Sequence, residues 1–124
     1  MSEHKTVKLS ESPIRLRPDG TAAVLPSQGY PADAWQAGEV LMTESSRHGG
    51  ERHLDGDELV YLVSGSAHLS LDQDDGDPEV VGLEAGHAFV VPRGTWHRLL
   101  IDEPSRLLFV GTGRTEVRPP GHSQ

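Results

Sequence analysis

Short apolar runs cut by turn-forming residues organise the chain from Gly38 onward. Residues 39–45 (EVLMTES) predict a strand that runs into a polar, Gly-rich loop over 46–50. Further strands are expected over 58–63, 67–71, 78–83, 88–91, 95–101 and 106–110, each rich in Val, Leu, Ile or aromatic residues and bounded by Gly, Pro, Asp or Ser. The runs LVYLV and RLLI suit strands covered on both faces, whereas Ala67-His68-Leu69-Ser70-Leu71-Asp72 alternates and predicts one wet face. Residues 1–34 mix Ser, Pro, Gly and charge with brief apolar pieces such as 21–25, enough for one or two short strands or an arm. No helix-period segment, internal repeat or low-complexity tract stands out, and only 118–124, with Pro119-Pro120, reads as disordered. The pattern as a whole predicts an all-β sandwich or barrel.

Composition narrows the classes. A chain of 124 residues suits one core. Its 14 Gly and 9 Pro are spread along the sequence, as an all-β protein with many turns requires. Lys and Arg number 11 against 19 Asp and Glu, a formal charge of −8 that repels phosphate backbones and anionic lipid, so neither nucleic acid nor membrane is an expected partner. The absence of Cys removes disulfides and thiolate ligands, leaving His and carboxylate for any metal. No apolar run approaches a membrane span, and the opening Met1-Ser2-Glu3-His4-Lys5 lacks a secretion signal's apolar region, which predicts a soluble, cytoplasmic protein.

Candidate chemistry concentrates in two distant stretches, ERHLDGDELVYLVSG over 51–65 and GHAFVVPRGTWHRLLI over 86–101. Glu51 and His53 are two apart, so an extended chain projects both from one face with Arg52 on the other. On an unbroken strand Glu58 would fall on the opposite face, but Asp55-Gly56 is a strong turn signal that resets that parity. Beyond it Val60 and Leu62 share the Glu58 face, so this carboxylate opens an apolar surface and must be desolvated at a cost or bound to something positive. A cation is the economical answer. His97 shares its strand face with Thr95, Leu99 and Ile101, and Pro92 with Gly94 forms the turn that launches it.

These residues resemble the cupin family. Its first motif runs H-x-H, three or four residues, E, six residues, G, and His53, Glu58 and Gly65 fall in register with it. The second runs G, five residues, P-x-G, two residues, H, three residues, N, matched by Gly86, Pro92, Gly94 and His97. The resemblance covers 38–112 and implies a double-stranded β-helix (jelly-roll) cupin barrel with one divalent metal ion per chain in its mouth. An arm over 1–37 and a partly disordered tail over 113–124 flank it.

Three positions depart from the pattern: Glu51 stands for the first His, Ile101 for the closing Asn and Ser45 for the opening Gly. Glu51 shifts the ligand set from three His and one Glu to two of each, a harder, more anionic set that favours Fe, Mn or Zn, with Ni also in the expected range. If Glu51 instead turns away to Arg52, Arg47 or a neighbouring chain, His53, Glu58 and His97 remain as the two-His, one-carboxylate arrangement of non-haem Fe(II) sites.

His48, His68 and His87 match no ligand position and are expected to be solvated. Strand parity turns Trp96 away from His97, toward an intersheet or subunit contact, and Tyr61 away from Glu58. Met42 and Phe109 line the pocket only if their strands have the assumed register, and the acidic run 72–77 reads as a solvated hairpin loop. The expected function is binding of, or metal-dependent dioxygenase or isomerase chemistry on, a small polar molecule. The alternatives are a non-catalytic ligand-binding or sensory barrel, and a metal-free structural one in which the same residues form a hydrogen-bond cluster. No catalytic acid or base is assigned. Apolar strands on so small a core, together with the habit of similar cupins, imply a homodimer.

Overall fold

Residues rich in β-branched and turn-forming types give a structure, here a computed structural model describing residues 5–29 and 32–121, with nine strands and no helix among the described residues. In chain order these are β1 (Ile14–Leu16), β2 (Ala22–Val24), β3 (Ala32–Met42), β4 (Gly50–His53), β5 (Glu58–Leu71), β6 (Glu79–Leu83), β7 (Ala88–Val91), β8 (His97–Gly113) and β9 (Thr115–Arg118). The pairings are antiparallel throughout. The sheet runs β2-β1-β3-β8-β4-β9, and β5 joins it by pairing with β8 while also holding β6 and β7. It curls on itself into the all-β barrel that the sequence predicts. Among the described residues no helix is long and apolar enough to cross a membrane.

Two pairs of expected strands turn out to be continuous. Residues 58–63 and 67–71 are halves of β5, and most of 95–101 is joined to 106–110 in β8. Gly65 and Pro104 signal turns in the sequence, yet they mark a bend through which the ladder continues with shifted register. Gly65 sits at φ 100°, and a Cβ there would fall 2.3 Å from Ser105 Oγ and 2.6 Å from the Pro104 carbonyl. The buried Ser105 hydroxyl accepts from the Ser66 amide at 3.1 Å and donates to the Glu103 carbonyl at 2.7 Å. Both strands therefore turn the corner while still paired.

The inward face of β5 alternates as expected, with Glu58, Val60 and Leu62 buried and Leu59 and Tyr61 less so. Val60 and Leu62 join Ala67, Leu69, Leu71, Leu83, Val91, Leu99 and Leu107 in one core beneath the barrel mouth. The arm packs β1 on β3, and the Gln28 amide donates to the Ser10 carbonyl at 2.8 Å. β9 pairs with β4 inside the segment assigned to the tail. Arg118, expected to begin a disordered end, is instead fixed: its guanidinium donates to the Gly49 carbonyl at 3.0 Å and pairs with Asp72 at 2.8 Å. Residues 122–124 of that expected end lie outside the described residues.

Candidate metal centre

Three short segments bring the candidate ligands together. β4 carries Glu51 and His53, and its one pairing with β8 sets Glu51 opposite His97. After His53 the chain bends through Leu54-Asp55-Gly56 and re-enters as β5 with Glu58, so the turn resets parity as the sequence predicts. Asp55 anchors that bend: its carboxylate accepts from the Arg114 amide at 2.7 Å and from the guanidinium at 2.7 and 3.0 Å. Arg114 holds the Asp55 carboxyl down at about 2. The turn before His97 has the expected Pro92 and Gly94, with the Thr95 amide donating to the Pro92 carbonyl at 3.1 Å and Gly94 at φ 82°. The Gly94 amide donates to the His53 carbonyl at 2.8 Å, and the Arg93 amide to Asp57 at 2.8 Å. The two motifs are thus tied directly to each other.

Their side chains converge. One ligand atom from each of Glu51, His53, Glu58 and His97 lies within 4.8 Å of the others. Nε2 of His53 is 3.1 Å from Glu58 Oε2, and Nε2 of His97 is 3.4 Å from Glu58 Oε1 and 3.6 Å from Glu51 Oε1. Glu58 and His97 are buried, at 8% and 3% exposure. Glu51 does not turn to Arg47 or Arg52, which pair with Glu44 and Glu116 respectively. It faces His97, His53 at 4.0 Å and His48 at 3.9 Å.

The outer ring nitrogens decide which atoms face inward. His97 Nδ1 lies 3.0 Å from the Thr95 carbonyl, which can only accept, so Nδ1 carries a proton and Nε2 is the nitrogen that faces the cluster, where it offers a lone pair to a cation once it has lost its own proton. His53 Nδ1 is 3.0 Å from the Thr115 hydroxyl, which can hold the same tautomer. Nε2 of both rings and Oε1 of Glu58 are buried without a well-aligned hydrogen-bond partner. Burial opposes charge on Glu58, but the His53 and His97 imidazoles beside it outweigh burial and hold the carboxyl below its ordinary range. Burial likewise opposes a charged His97, but Glu58, the Thr95 carbonyl and Glu51 raise the imidazole above its ordinary range. The site attracts positive charge, and its unmatched lone pairs fit a divalent cation.

Beside the cluster lies a cavity of about 590 Å³ with His53 and Glu58 in its wall. Phe109, Thr112 and Thr115 come from the barrel and Ser10, Pro13 and Gln28 from the arm. Phe109 therefore lines the pocket, while Met42 packs against the core. The arm's contribution had no signal in the sequence beyond its short apolar pieces.

The remaining singled-out residues lie elsewhere. Trp96 stacks between the guanidinium groups of Arg52 and Arg118, 4.7 and 4.3 Å from its ring centre. His68 is half exposed and pairs with Asp102 at 2.8 Å, and His87 is exposed. His48 is more enclosed than expected, since its Nδ1 accepts from the Gly50 amide at 3.0 Å. Residues 73–77 are exposed as expected for a hairpin loop, but Asp72 is committed to Arg118. Sequence reasoning missed Thr115 and His48; Thr115 is 62 residues from the ring it holds.

The Cupin domain family description matches residues 38–111 of this sequence. No curated protein matches it. Among solved structures, a cupin-2 domain containing protein from Shewanella frigidimarina is similar at 20% identity and TM-score 0.54, over 68% of this chain and 74% of its own. A conserved protein of unknown function from Streptococcus pyogenes is similar at 22% identity and TM-score 0.51, over 72% and 70%. Oxalate decarboxylase from Bacillus subtilis shares 22% identity at TM-score 0.54; the match covers 69% of this chain but 23% of that enzyme. At these identities the likeness is one of fold.

Proposed function

The chain belongs to the cupin domain family, and on that footing we propose that it holds one divalent metal ion between His53, Glu58 and His97, with Glu51 as fourth ligand, and binds or transforms a small polar molecule in the adjoining cavity. The observation that carries this is the convergence of buried acceptor atoms, two imidazole Nε2 and one carboxylate oxygen, on a point where none is properly hydrogen-bonded. Two carboxylates among four ligands favour a hard ion such as Mn(II), Fe(II) or Zn(II). The Mn(II) centres of Bacillus subtilis oxalate decarboxylase keep manganese among the choices. When bound, the ion supplies a Lewis acid to an oxygen of the ligand.

The chain's own residues have simpler tasks. The Thr95 carbonyl and the Thr115 hydroxyl orient the rings. The arm and Phe109 complete the wall of the cavity. Outside the ligand set, the ionisable residue lining the cavity is Glu39, which pairs with Arg106 at 3.1 Å. No uncommitted acid or base is therefore at hand among the described residues, which favours a non-catalytic binding barrel as the second reading.

Metal content of protein purified without added metal tests the proposal. Stoichiometric ion in the native chain, lost in His97→Ala and weakened in Glu51→Ala, supports it. Failure to take up Fe, Mn, Zn or Ni leaves the metal-free barrel. Uptake of O₂ with a candidate substrate by iron-loaded protein separates the oxygenase from the binding module. We also place the protein in the cytoplasm, as a homodimer without nucleic-acid or membrane partners. Leu16 and Trp35, register neighbours on β1 and β3, are each 41% exposed and offer an apolar dimer contact. Light scattering after size exclusion tests the dimer.

A further inference from the structure

From the charge of the ligand set and the walls of the cavity, we infer that the site selects an uncharged or cationic polar molecule and disfavours small carboxylate dianions. The inference rests on the metal reading above and deepens it. Glu51 and Glu58 together offset a divalent ion, and with neutral imidazoles the loaded centre has no net charge. A set with one carboxylate would leave a positive centre that draws anions. Here that attraction is absent.

The cavity does not restore it. None of the residues lining it is Lys or Arg, and none of the residues outside the described set is either. The arginines nearest in sequence or pairing to the lining residues and ligands are already matched: Arg114 by Asp55, Arg106 by Glu39 and Arg52 by Glu116. The wall carboxylate of Glu39 is spent on Arg106, so that pair adds no net charge, and the chain's formal charge of −8 repels anions at longer range. What the walls offer instead is neutral hydrogen bonding from Ser10, Gln28, Thr112 and Thr115 beside the apolar surfaces of Val40 and Phe109. An alcohol, amide or amine with a small apolar part satisfies both, and the volume is within the range of small-ligand sites. A dianion would be desolvated without a compensating cation.

The test uses Co(II)-loaded full-length protein, whose visible absorption bands report ligands entering the metal's coordination, with imidazole as neutral probe and oxalate as dianion. The native protein is expected to bind imidazole and to bind oxalate at least about tenfold more weakly than Glu51→Gln does, since that variant removes one negative charge beside the ion. Imidazole affinity is expected to change less than about threefold between the two. Val40→Lys, at a partly exposed wall position outside the ligand set, is a second variant expected to gain oxalate affinity without altering Co(II) uptake, and it decides the matter if Glu51→Gln does not fold. Co(II) bound with oxalate taken up equally by native protein and both variants overturns the charge assignment alone. Failure of the native protein to bind Co(II) overturns the metal reading, and this inference with it.

Discussion

The Thr115 hydroxyl, 3.0 Å from His53 Nδ1, is a small contact with a large expected effect. Thr115→Val keeps the shape but removes the partner that orients the ring, and metal affinity measured by calorimetry should fall roughly 10- to 100-fold with the fold intact. At the bend, Gly65→Ala should cost roughly 2–3 kcal/mol in denaturant unfolding, because the new Cβ meets the Pro104 carbonyl and φ stays positive. Leu62→Ala, at a fully buried position opposite Leu107, should cost about 2–5 kcal/mol through lost burial and the cavity left behind. At this scale His53, Glu58 and His97 were legible because each breaks its surroundings: a titratable side chain on a face otherwise apolar, or beside a strong turn. Thr115 and His48 were not, since a threonine in an exposed strand and a histidine in a polar loop look the same whether or not they touch a site.

Elements carry the ligands, and the contacts between elements set their positions. The bend after β4 is held to the turn between β8 and β9 by Asp55 and Arg114, where a Cβ on Gly113 would strike Asp55 at 2.3 Å. Asp55 has a carboxyl lowered to about 2, so its pairing stabilises the fold above the ordinary Asp pKa and loses that contribution as pH falls through about 2. In thermal unfolding followed from pH 7 to pH 2, the gap between the native protein and Asp55→Asn should be full above about pH 4 and close toward pH 2. A gap independent of pH would assign the effect to lost packing. The lengths of β5 and β8 were misjudged from the sequence for a related reason: Gly65 and Pro104 signal an interruption, and only the facing strand reveals that each interruption is matched by the other.

For the whole molecule, a bound ion is a cross-link between β4, β5 and β8 that the unfolded chain lacks. At a hundredfold excess over its Kd a divalent metal should add about 2.7 kcal/mol to stability, raising the thermal midpoint by several degrees, and a chelator should reverse the shift. His97→Ala should abolish the response. The acidic balance of the chain and a ligand set whose two carboxylates offset a divalent ion both support the proposed discrimination against small anions.

Periodicity, turn chemistry and motif spacing are short-range properties, and from them the sequence by itself determined an all-β barrel, the turns at Asp55-Gly56 and Pro92-Gly94, and three of the converging residues. Where Glu51 points, whether β9 exists, and how the arm walls the cavity were decided only in three dimensions. Each depends on register between segments tens of residues apart, and register is fixed by the burial and hydrogen bonding of the assembled sheet. Glu51 illustrates the division: its residue type is local information, but its choice of His97 over the arginines was made by the single bridge that sets β4 against β8.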